Sequence, residues 1–281
     1  MVDKTSDSKQ PPIPGYEPIR VLDINLGTVY LARHSSSGAL VAVRVWRLEF
    51  AGHARDLHAP LARLHHTNII RLFGMGEFEG SFFCALEYVE RTLADRLLEG
   101  PLRDVAVARI ADAVASALQY ASDQEMIPLS LAPRSILLTD ENVPKLSDFC
   151  ASEIFGKPPN LPSPALTAPE CVLSGVGTAS EASQVYRVGA LIYEMLTARP
   201  PFVTDNVLAT LKRVLHDVPE PPRQVNTKAG VDLEAVCMKC LRKRPEARYA
   251  SLHELAGDLK PFLQSRKGSE WSCGQDGPTS G

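Results

Sequence analysis

Residues 27–48 read GTVYLARHSSSGALVAVRVWRL. Two runs rich in β-branched and aromatic residues, 27–34 and 40–48, flank the turn-forming HSSSG at 34–38. Such side chains fit a pleated, half-buried surface, and Ser and Gly supply the turn, so the stretch predicts two strands of one antiparallel sheet. Working outward, IRVL (19–22), IIRLFGMGEF (69–78) and SFFCALEYV (81–89) repeat the pattern, with EFEG (77–80) as a second turn. Together they predict about five strands. One helical piece, LARLHH (61–66), interrupts them, with Pro60 marking its first turn.

Beyond residue 102 the period changes. In LRDVAVARIADAVASALQYA (102–121), Val107, Ile110, Val114, Ala117, Leu118 and Ala121 recur at three- and four-residue steps, giving a helix one apolar face. YRVGALIYEML (186–196) is apolar nearly all round, which predicts a centrally buried helix. SLHELAGDLKPFL (251–263) opens with Ser251 and Glu254 at capping-box spacing. The expected class is α+β, a small antiparallel β lobe with one helix (15–89) joined near 89–92 to a larger, mainly helical lobe (90–265). The polar, Pro-rich segment 1–14 and the Gly/Ser-rich tail 266–281 are expected to be disordered.

The chain has 281 residues, 44% hydrophobic and 22% charged, with a formal net charge of −3. Without a basic footprint, nucleic acid and anionic membrane surfaces are not expected partners. No apolar run reaches the roughly 20 residues that span a bilayer, and the N-terminus carries no signal-peptide core, so a cytoplasmic protein is expected. Six cysteines are scattered, and the only C-x-x-C pair, Cys237 and Cys240, lies in a helical pattern without further ligands. Structural thiols in a reducing compartment follow.

The order of segments resembles the protein kinase superfamily, in its bacterial, eukaryotic-like Ser/Thr form, over residues 16–264. The resemblance rests on LGTVYLARH (26–34), VAVRV (41–45), HHTNIIRL (65–72), LEYVE (86–90), SDFC (147–150), APE (168–170) and GALIYEMLTARPPF (189–202). It implies a nucleotide site lined by Val29, Ala42, Leu86 and Leu137, with the hinge around Glu87 and Val89. It also implies a bridge between Glu170 and Arg248 that braces the large lobe.

Phosphoryl transfer in that family needs a glycine-rich loop, a lysine, an Asp and an Asn for metal, and a carboxylate base. Each part departs here. Leu22 and Ile24 replace two loop glycines and Gly27 alone remains; with Leu26, they are expected to fold apolar side chains over the cleft. Arg44 replaces the strand lysine, and the helix glutamate that would pair with it falls on Leu57, beside Asp56. PLSLAPRS (128–135) stands for H-R-D-L-x-x-x-N, so Ser130 takes the base position, Ala132 that of the following lysine, and Ser135 that of the metal-binding Asn. Pro128 and Leu129 replace the bracing His and Arg, and Gln184 replaces an anchoring Asp. Asp148 survives as the one metal candidate, with Cys150 in place of the glycine two residues on, and a pair between Asp148 and Arg44 is expected. In the segment 150–168, Ser163 and Thr167 are phosphorylatable, but a stiff surface loop without a regulatory role is expected, since no bracing Arg precedes Ser130.

The combined replacements predict a pseudokinase: not an enzyme, without cofactor or metal, acting as a scaffold or allosteric partner of other proteins such as active kinases or signalling components. Two alternatives stay open. One is an atypical ATP-dependent Ser/Thr kinase of weak activity using Mg²⁺; the other is an ATP-binding switch without phosphoryl transfer.

Overall fold

The stretch 27–48 forms strands β2 (Thr28–His34) and β3 (Leu40–Arg47), paired antiparallel with Val29 opposite Arg44 and Leu31 opposite Ala42. The computed structural model describes residues 11–24, 27–47, 62–126, 131–147, 164–174 and 180–264. It divides into two units, one of Met1–Arg63 with Ile70–Val89, the other of Leu64–Ile69 with Glu90–Gly281.

In the first unit, β1 (Tyr16–Asp23), β4 (Leu72–Phe78) and β5 (Ser81–Glu87) complete a five-stranded antiparallel sheet in the order β1-β2-β3-β5-β4. Side chains alternate between its faces. On one face Ala32, Val41, Val43, Phe83 and Ala85 form a core, which Tyr16 edges with its ring 5.7 Å from that of Phe83. Ile13, inside the segment expected to be disordered, is only 3% exposed and belongs to this core. The register shifts twice along β1, first beside Pro18, whose missing N–H suits an edge strand. The helical piece expected at 61–66 does not continue past Arg63. Instead, His66 Nδ1 accepts from the Asn68 N–H and the His66 carbonyl accepts from Ile69, closing a turn.

Residues 64–69 group with the second unit, although the sequence span 15–89 includes them. Asn68 donates its side-chain N–H to the Pro144 carbonyl and accepts the Leu146 N–H on its own carbonyl, while Ile69 bridges Leu146 in parallel. These bonds run to β8 (Pro144–Leu146), the edge of a small sheet that also holds β6 (Arg91–Thr92) and β7 (Ile136–Leu138). That pairing is why the apolar run beginning at Ile69 enters β4 only at Leu72.

The helices of this unit run α1 (Leu93–Leu97), α2 (Asp104–Asp123), α3 (Pro169–Ser174), α4 (Glu181–Thr197), α5 (Val207–His216), α6 (Pro222–Val225), α7 (Val231–Cys240) and α8 (Leu252–Leu263). The six α2 residues at helical spacing are all buried, and α2 packs on α8 and α4. Helix α4 is buried along almost its whole length, Ser183, Gln184 and Arg187 included. The capping box at α8 forms in part: Ser251 Oγ accepts the Glu254 N–H, while Glu254 reaches back to Ala250 rather than to Ser251. Cys84, Cys171, Cys237 and Cys240 are buried. Among the described residues no helix is long and apolar enough to cross a membrane.

Candidate active site

In the first unit, register brings Val29, Ala42 and Leu86, three of the expected nucleotide-lining residues, to one face of the sheet. Ala42 lies between Leu31 and Leu86, and Arg44 between Val29 and Cys84. Val29 and Leu86 are buried, whereas Ala42, Glu87 and Val89 are half-buried. Glu87 is held twice by Arg71, whose carbonyl accepts its N–H at 2.8 Å and whose N–H reaches its Oε2 at 3.3 Å. Arg44 is half-buried, its guanidinium 6.0 Å from the ring centroid of Trp46. Trp46 in turn stacks on Phe82 at 5.8 Å. The expected partner of Arg44, Asp148, lies outside the described residues, as do Asp56 and Leu57.

Gly27 adopts φ +106°, and a Cβ there would sit 2.7 Å from the Val45 carbonyl and 2.9 Å from the Trp46 indole. Packing onto β3 therefore suffices to demand glycine at this position, whatever binds nearby. Leu22 is half-buried, but Ile24 is 76% exposed, contrary to the expectation that it folds inward over a cleft. The Ile24 N–H is instead held by the Asp23 carboxylate, which turns the backbone at the end of β1 and leaves the isoleucine in solvent. Leu26 lies outside the described residues.

In the second unit, Leu137 pairs in register with Thr92 and Lys145 and is half-buried, while its neighbours Ile136 and Leu138 point into the core. Just before them, Pro133–Ser135 form a 3-10 turn. Ala132 is buried, and its N–H donates to Ser135 Oγ at 3.1 Å. The Ser135 hydroxyl donates back to the Ala132 carbonyl at 2.8 Å. Ser147 then ties the next strand to this turn, its N–H and hydroxyl both donating to the Ser135 carbonyl. Ser130, Pro128, Leu129, Asp148 and Cys150 lie outside the described residues.

Deeper in this unit Arg248 grips Glu170 with two parallel bonds, at 2.7 and 2.8 Å. Its remaining N–H groups go to the carbonyls of Arg242, Ala182 and Lys243. All five donors are used, so the guanidinium is buried at little cost. Pro164–Leu166 form a 3-10 turn, and Ala165 to Ala168, Thr167 among them, are buried. This corrects the surface loop expected there; Ser163 lies outside the described residues. Gln184 is buried, and among the described residues its side-chain oxygen has no hydrogen-bond partner.

Two ionisable groups of α4 escaped the sequence reading because the helix pattern is apolar around them. Burial pushes the Glu194 carboxyl up to about 7 and lowers Arg187 to about 10. Among the described residues Glu194 Oε2 is buried without a hydrogen-bond partner. Among the described residues no group of three or more His, Cys, Asp or Glu side chains is placed to hold a metal.

The protein kinase domain profile matches residues 25–258. The chain is 29% identical over 257 residues to the serine/threonine-protein kinase PknB of Mycobacterium leprae, covering 83% of this chain and 40% of that protein. It is 30% identical over 260 residues to PknB of Mycobacterium tuberculosis, covering 83% and 40% of the two chains. It is also 25% identical over 275 residues to the serine/threonine-protein kinase PrkC of Bacillus subtilis, covering 91% and 41%. The chain belongs to the protein kinase domain family and is related to bacterial Ser/Thr kinases. It spans about two fifths of the length of these relatives.

These relationships overturn the expectation that the chain is not an enzyme. The similarity runs over residues 25–258 to proteins named as serine/threonine kinases. The expectation of no cofactor loses its support for the same reason.

Proposed function

We propose that the chain is an atypical ATP-dependent serine/threonine protein kinase domain with low turnover. The observation that carries this reading is the match over residues 25–258, which runs to relatives named for that activity. The sheet face adds physical support, since Val29, Ala42 and Leu86 offer an apolar wall of the kind that receives a planar base. Arg44 supplies a fixed positive charge for phosphate, as a planar fork rather than a point charge. Asp148 is the carboxylate available to a divalent ion.

Bound ATP would supply the γ-phosphoryl group. The substrate hydroxyl oxygen would bond to that phosphorus as its bond to the β–γ bridging oxygen breaks, ADP leaving with that oxygen and the hydroxyl proton passing to solvent. Ser130 is not a base at neutral pH, and the lack of a positioned base costs about 10²- to 10⁴-fold. The replacements thus set a slow rate within the class. Partners are proteins presenting Ser or Thr hydroxyls, since a net charge of −3 does not favour nucleic acid. Among the described residues, the thiols of Cys171, Cys237 and Cys240 are free and buried, which suits a reducing, cytoplasmic setting.

Transfer from γ-labelled ATP to the chain itself and to a generic Ser/Thr protein tests this. Slow incorporation on Ser or Thr that disappears in Asp148→Ala is expected. No incorporation above the Asp148→Ala background would refute it.

A further inference from the structure

We infer that this domain holds its nucleotide with at most one divalent cation, because the position matching the family's second metal ligand is turned inward and saturated. The inference rests on the kinase reading above. In the family motif, the Asn that closes the loop after the base holds the second ion; its counterpart here is Ser135. A serine could in principle still offer a hydroxyl oxygen, so its surroundings decide.

Those surroundings leave nothing to offer. Ser135 is 1% exposed. Its hydroxyl donates to the Ala132 carbonyl and accepts the Ala132 N–H, closing the turn on itself. Its carbonyl already accepts two donors, the N–H and the hydroxyl of Ser147. The Ala132 carbonyl likewise accepts both the N–H and the hydroxyl of Ser135.

A magnesium ion demands near-ideal octahedral oxygens at about 2.0–2.1 Å and gives up its water reluctantly. To ligate one, Ser135 would have to break two buried hydrogen bonds and strand the Ala132 N–H, with a side chain shorter than asparagine's. Buried polar groups left unpaired are costly, so the turn resists that rearrangement. Nor do the described residues supply another cluster of metal ligands. The donor set does not fit a second ion.

Manganese(II) with the β,γ-imido analogue of ATP provides a count, since free Mn²⁺ is read directly by its electron paramagnetic resonance signal and the bound ion follows by difference. No more than one Mn²⁺ per protein–nucleotide complex is expected, and the thermal stabilisation by the analogue should stop rising once metal equals nucleotide. Ser135→Ala should melt lower, through loss of the turn's hydrogen bonds, with the ion count unchanged. Two ions per complex, or a count that falls in Ser135→Ala, would overturn the inference alone. Failure of the analogue to bind at every Mn²⁺ concentration would instead bring down the kinase reading, and this inference with it.

Discussion

Glu194 shows how a single residue acquires a property that its neighbours in sequence do not announce. It sits in α4, where burial raises its carboxyl from 4.5 to about 7. The folded state therefore keeps a proton that the unfolded chain has released, and stability falls as pH rises between those two values. The differential amounts to roughly 3 kcal/mol once both states are ionised. Glu194→Gln is neutral at every pH, so the decline in melting temperature from pH 5 to pH 8 should be shallower than in the parent chain. Parallel melting curves would show that Glu194 is not the group responsible. Arg248 is the contrasting case, a buried charge whose five donors all find acceptors.

Elements meet where side chains permit close approach, and α4 and α7 depend on one such place. A Cβ at Gly189 would collide with the Cβ of Cys240, and the Cys237 thiol lies 3.5 Å from the Gly189 carbonyl. The C-x-x-C spacing thus places both sulfurs on the face of α7 that packs against α4. Gly189→Ala would force two backbones apart rather than displace a flexible tip, with a cost of about 3 kcal/mol or more. Denaturant unfolding at fixed pH measures it, and a loss below roughly 1 kcal/mol would show that the helices separate freely. The same contact helps bury Cys240, and that burial pushes its thiol pKa well above the ordinary range.

For the whole molecule, kinase membership makes nucleotide binding the property that should reach global stability. A ligand that binds only the folded state stabilises by RT ln(1 + [L]/Kd), about 2.7 kcal/mol at a hundred times Kd. Mg-ATP is accordingly expected to raise the melting temperature in a concentration-dependent way. Arg44→Ala should weaken that response while leaving the melting temperature of the free chain much closer to the parent's. A response identical in Arg44→Ala would remove the phosphate-facing role given to this residue.

Strands and helices were legible in the sequence because both are periodic locally. The 27–48 stretch fell into β2 and β3, and the three- and four-residue apolar steps of 102–121 became the buried face of α2. Motif order was legible too, and with it the family. Taken together, the motif replacements predicted a chain that is not an enzyme, an expectation overturned by similarity over residues 25–258 to proteins named as serine/threonine kinases. What sequence alone determined about this protein is the type and order of its elements and the chemical groups at each motif position, since these depend on neighbours a few residues away. Tertiary structure decided which groups are buried and with whom. It turned the Ser135 hydroxyl onto Ala132, left Ile24 in solvent, drew Asn68 to Pro144, and isolated the Glu194 carboxyl. Desolvation and hydrogen-bond saturation are set by atoms far apart along the chain, so only the folded arrangement could specify them.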